Sequence, residues 1–84
     1  MTLVGPSGPI DTRGLLCPLP IIELQKAAAE ASPGALLTLL SDDAAAANDV
    51  AAWCAMRGHE LVESHQATDG RGGTAYVVRL GLVS

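Results

Sequence analysis

The sequence contains no phenylalanine, one tryptophan and one tyrosine. Leucine, valine, isoleucine and alanine must therefore fill the interior. Basic residues are few as well. Arg13, Lys26, Arg57, Arg71 and Arg79 are scattered among 84 residues, against nine acidic ones, for a net charge of -4. A nucleic-acid binder presents a clustered basic face, so direct binding to nucleic acid is not expected. An acidic surface suits protein partners that carry basic patches. No apolar run reaches the length that spans a bilayer, so no membrane association is expected either. Met1 to Pro9 lacks the basic and apolar regions of a signal peptide, and residues 1–9 read as a flexible N-terminal tail. A cytoplasmic protein is the expectation. There are two cysteines, Cys17 and Cys54. They do not form a Cys-x-x-Cys pair and are too few for a disulfide framework. In a reducing compartment both remain free thiols.

What is present is a regular alternation of apolar patterns. A length of 84 residues suits one domain, assigned here to residues 10–84. Ile10 to Thr12 fits a short strand broken by Gly14. From Pro18 to Ala31 the pattern is helical, with Ile21, Leu24, Ala28 and Ala31 on one stripe and Glu23, Lys26 and Glu30 elsewhere. Pro33-Gly34 stops it. The apolar run from Ala35 to Ser41 reads as a central strand. Asp42 or Asp43 is placed to cap a second helix over Ala44–Arg57, whose buried stripe is Ala46, Val50, Trp53 and Cys54. Gly58 closes that helix. His59 to Ala67 is a weakly patterned strand, and the glycine-rich stretch Thr68 to Gly73 turns it into a last strand, Thr74–Leu80. There Tyr76, Val78 and Leu80 share a face. The order β-α-β-α-β-β predicts an α/β (α+β) two-layer sandwich, a four-stranded mixed sheet with both helices on one face.

Cys17 carries the chemistry of greatest interest. A thiolate is the reactive form of cysteine. A helix N-terminus favours it through unpaired N–H groups and the positive end of the macrodipole. The pattern puts Cys17 at the N-cap, Pro18 at the first helical position, where no bond is lost, and Pro20 inside the first turn. Pro20 stiffens Leu19. The N–H groups of Leu19 and Ile21 are left to face the sulfur. A cysteine before proline at a helix start also fits a small buried hydrophobe, and the local pattern does not choose between the two. Cys54 reads as a buried packing thiol. Cys17, Cys54, His59 and His65 lack zinc-ligand spacing, so no metal is expected. His59 and His65 read as solvated, although His65 is a conceivable base for Cys17. Gly70, Gly72 and Gly73 are explained by a hairpin turn rather than a phosphate loop. Asp49 falls on the solvated side of its helix.

Ile10-Asp11, Arg13-Gly14-Leu15 and Cys17-Pro18-Leu19-Pro20 together resemble the TusA/SirA-like sulfur carrier family. So do Lys26, Pro33-Gly34, Ser41-Asp42-Asp43, Asp49-Val50, Trp53-Cys54, Gly58-His59-Glu60-Leu61, Tyr76 and Arg79. The resemblance spans roughly residues 10–80. It implies the fold already read from the pattern. It further implies that Cys17 accepts sulfane sulfur as a persulfide and passes it on, supported by the helix start at Pro18, Leu19, Pro20 and Ile21. Arg13 and Lys26 are candidate electrostatic or partner contacts. No cofactor is implied. Implied donors are a cysteine desulfurase or a rhodanese-like protein. Implied acceptors include DsrE-type relay proteins, in tRNA thiolation, molybdenum cofactor formation or sulfur oxidation. Two other readings stand beside it: an interaction module that uses the Cys-Pro-Leu-Pro turn for docking, and a redox or selenium-handling thiol protein. Ala44 stands where the family commonly has proline, a change of little consequence for a helix.

Overall fold

The computed structural model describes residues 9–16 and 18–81. Six elements follow in order: β1 (Ile10–Asp11), α1 (Leu19–Glu30), β2 (Leu36–Ser41), α2 (Ala46–Arg57), β3 (Glu60–Gln66) and β4 (Thr74–Arg79). The sheet order is β1-β2-β4-β3. β1 runs parallel to β2, with Ile10 opposite Leu39, and β4 is antiparallel to both neighbours. The mixed sheet and its two helices match the architecture read from the pattern.

The parallel pair β1–β2 needs a crossover, and α1 supplies it. α2 carries the chain past β4 to the far edge, and a turn then brings β4 back between β2 and β3. Alternation along the central strands decides what is covered. Leu37 and Leu39 of β2 lie opposite Val78 and Tyr76 of β4. All four are buried in one cluster with Leu24 of α1 and with Ala46, Val50, Trp53 and Cys54 of α2. The stripe expected for α2 is thus the one that packs. Each fully buried Leu or Val contributes about 1.5–3 kcal/mol of transfer free energy, so aliphatic side chains replace the missing phenylalanines. Gly58 ends α2 at φ 74°, a left-handed conformation that costs glycine little.

Two helix starts and the surroundings of one histidine differ from the sequence pattern. α1 begins at Leu19, not Pro18, because the Leu19 N–H turns back to the Leu16 carbonyl at 2.9 Å. The first helical bond is then Ile22 N–H to Pro18 O at 3.1 Å, which makes Pro18 the N-cap and Pro20 the second helical residue. α2 begins at Ala46 rather than Ala44, because Asp43 first closes a turn. The Asp43 carbonyl accepts from the Ala46 N–H at 3.0 Å and its Oδ1 from the Ala45 N–H at 3.0 Å. His59 is half-buried rather than solvated. Its ring lies 4.7 Å from that of Trp53, and its Nδ1 accepts the Gly81 N–H at 2.9 Å. That N–H lies beyond the end of β4, outside the sheet ladder, and the imidazole satisfies it.

Candidate functional site

The chain leaves β1 at Thr12, which is buried. Its N–H and its Oγ1 both donate to the Leu40 carbonyl, at 2.8 and 2.6 Å. The Leu15 N–H folds back to the Thr12 carbonyl at 3.0 Å. The Gly14 N–H donates to Asp42 Oδ1 at 3.0 Å. Asp42 is therefore engaged in holding this loop. The sequence pattern, which offered it as a helix cap, did not show that role.

Arg13 sits in the middle of the loop with its side chain only 9% exposed. Nε and Nη2 donate to the two oxygens of Asp11 at 3.0 and 2.9 Å. Nη1 and Nη2 donate to the two oxygens of Asp69 at 2.9 and 2.8 Å. Nη1 also donates to the Gly72 carbonyl at 3.0 Å. A guanidinium has five N–H donors, and these five bonds use them all. Its charge faces two carboxylates. The Arg13 side chain and backbone hydrogen bonds pull the Asp11 carboxyl from its usual 3.8 to about 2. Asp69 is held well below the usual carboxylate range by the Arg13 side chain first and the Arg71 N–H second. Arg13 itself is held more firmly protonated, by Asp69 and then Asp11.

Cys17 lies outside the described residues. Of the described residues beside it in the chain, Leu16 is 71% exposed and Pro18 is exposed as well. The Leu19 N–H, expected to be free for the sulfur, is committed to Leu16 instead. Pro20 is buried and Ile21 packs against the core, so this end of α1 is anchored. Leu19 and Ile22 stay exposed on the outer face. Lys26 extends that face, well exposed and 3.4 Å from Glu23. It is seven residues from Leu19, roughly 10 Å along the axis at about 1.5 Å per residue, and is not brought to the Arg13 cluster.

Cys54 is 3% exposed, and burial pushes its thiol pKa up. It is the inert packing thiol the pattern suggested. His65 lies on β3 with Glu63 Oε2 3.4 Å from its Nδ1. Asp11, Leu40, Ala75 and His65 form one row across the sheet. His65 is thus three strand spacings from Asp11, roughly 14 Å at about 4.8 Å each. Among the described residues no cluster of His, Cys, Asp and Glu is arranged to hold a metal ion. No helix among them is long and apolar enough to cross a membrane.

The architecture defines a class: a small α+β sandwich in which a short parallel strand feeds a proline-rich turn and a helix. It is shared with a SirA-like protein from Desulfitobacterium hafniense, with a TM-score of 0.67 and 26% identity, covering 86% of this chain and 95% of that one. The family model described as Sulfurtransferase TusA matches residues 9–80, and the chain belongs to this family of sulfur carrier proteins. It is similar to YrkI of Bacillus subtilis, 38% identical over 60 residues, 71% of this chain and 80% of the relative. It is also similar to the sulfur carrier protein TusA of Pseudomonas aeruginosa, 35% identical over 57 residues, 68% of this chain and 72% of the relative.

Proposed function

We propose that this chain carries sulfane sulfur as a persulfide on Cys17 and relays it between two proteins. The observation that carries this reading is the family match over residues 9–80, which includes Cys17-Pro18-Leu19-Pro20. The burial of Cys54 supports it, because a core thiol is a poor nucleophile. The Cys17 thiolate attacks the outer sulfur of a donor persulfide. The donor's S–S bond breaks, a new S–S bond forms at Cys17, and the donor thiolate leaves. An acceptor thiolate then takes the outer sulfur in the same way and Cys17 is regenerated. The donor is a cysteine desulfurase or a rhodanese-like protein, and the acceptor a DsrE-type or other thiol protein. The pathways served are tRNA thiolation, molybdenum cofactor formation or sulfur oxidation. Exposed Leu16, Leu19 and Ile22 provide apolar surface that a docking protein would cover.

The test is intact-protein mass spectrometry after incubation with a cysteine desulfurase and cysteine, repeated with rhodanese and thiosulfate. A gain of one sulfur, mapped to Cys17 and removed by reductant, is expected. Cys17→Ser should fold as the wild type does and gain none. Sulfur still accepted by that variant would refute the assignment.

A further inference from the structure

We propose that the turn between β3 and β4 positions the transfer loop, with Arg13 as the positioning residue. The proposal rests on the carrier reading of Cys17. Arg13 lies four residues before Cys17 in the chain. Its guanidinium joins the end of β1, through Asp11, to Asp69 and Gly72 of a turn more than fifty residues away in sequence. The turn is itself held in shape for this. Asp69 Oδ1 also accepts the Arg71 N–H at 3.1 Å, and the Gly73 carbonyl accepts the Ala67 N–H at 3.0 Å. Gly73 leaves no slack: a Cβ there would lie 3.1 Å from Arg13 Cδ and 3.1 Å from the Ser41 carbonyl, at a backbone φ of 89°. On the other side of the loop Asp42 holds the Gly14 N–H. The segment that leads into Cys17 is thus gripped from the β3–β4 turn and from the β2–α2 junction at once.

This arrangement separates position from charge. A guanidinium with every donor engaged, facing two carboxylates, has no hydrogen bond to offer a sulfur anion. What it does supply is a fixed path for the loop. Displacement of an attacking group by about 1 Å can cost on the order of a hundredfold in rate. Lysine carries the same charge but only a point-like ammonium, which cannot fork between two carboxylates and a carbonyl. Gly73 then follows from close packing on Arg13, whereas Gly70 and Gly72 have open space around them and are called for by their φ of 81° and 84°.

Single-turnover sulfur transfer from glutathione persulfide tests this, because a small donor needs no docked protein. Sulfur on Cys17 is read by mass spectrometry at increasing donor concentration. Arg13→Lys preserves net charge. The maximal rate should fall about tenfold, with the half-saturating concentration unchanged and the variant shown folded by thermal unfolding. Gly73→Ala disturbs the same contact from the turn without touching a charge, and should lower the maximal rate in the same way. Wild-type rates in both variants overturn the positioning role while leaving the carrier reading intact. A wild-type chain that takes no sulfur on Cys17 from glutathione persulfide, from a cysteine desulfurase or from rhodanese overturns both.

Discussion

Arg13 gives up most of its hydration for five hydrogen bonds of fixed geometry, four of them to two carboxylates that stay partly exposed. Charge-assisted, bidentate pairs of this kind are the stronger class of hydrogen bond, and the shielding of the guanidinium limits screening by salt. The pH dependence follows from the depressed carboxyl groups. Asp11 titrates from a normal 3.8 when unfolded to about 2 when folded, and Asp69 is depressed too. The stabilisation is therefore present above about pH 4 and is lost as pH falls through the folded values. Urea midpoints measured from pH 5 to pH 2 should decline below pH 4, and Asp69→Asn should flatten that decline. An unchanged slope in the variant would count against the pairing. The two cysteines offer a second check. With its thiol pKa raised by burial, Cys54 should resist iodoacetamide in the native protein and react only after denaturation, leaving Cys17 as the labelled residue. Native labelling of Cys54, mapped by peptide mass, would contradict its place in the core.

At the scale of elements, the helices and strands stand where apolar periodicity puts them, because each must bury one face against the same layer. Val50, Trp53 and Cys54 of α2 and Tyr76 and Val78 of β4 were readable for that reason. Leu39, fully buried in the central strand, should be the costly one to truncate: Leu39→Ala is expected to lose about 2–5 kcal/mol. The loss is measurable as a lower denaturant midpoint at unchanged slope. Element ends were less legible. The start of α1 depends on whether the Leu19 N–H bonds to Leu16 or remains free, and the start of α2 on which oxygen of Asp43 accepts which N–H. These are choices of a single hydrogen bond, and hydrophobic patterning carries no information about them. The half-buried position of His59 escapes the sequence pattern for a related reason. One histidine at a strand start has no periodicity, and its partners, Trp53 and the Gly81 N–H, come from separate parts of the chain.

At the scale of the whole molecule, the sequence by itself determined the number and kind of elements, the two-layer arrangement and the residues lining the core. It also marked Cys17 as a candidate at the start of Cys17-Pro18-Leu19-Pro20, although that local spacing alone does not choose between a reactive and a packing thiol. All of these are local or periodic properties, set by backbone restriction at proline and by the side-chain repeat of helix and strand. Tertiary structure decided the insertion of β4 between β2 and β3, and with it where the β3–β4 turn falls. That placement put Asp69 on Arg13, and the parallel pairing of β1 with β2 put Asp42 on Gly14. An ion pair between residues so distant in sequence leaves no pattern in either neighbourhood. It exists only because chain crossings bring two loops to one end of the sheet, where the guanidinium meets the oxygens of both in hydrogen-bonding geometry.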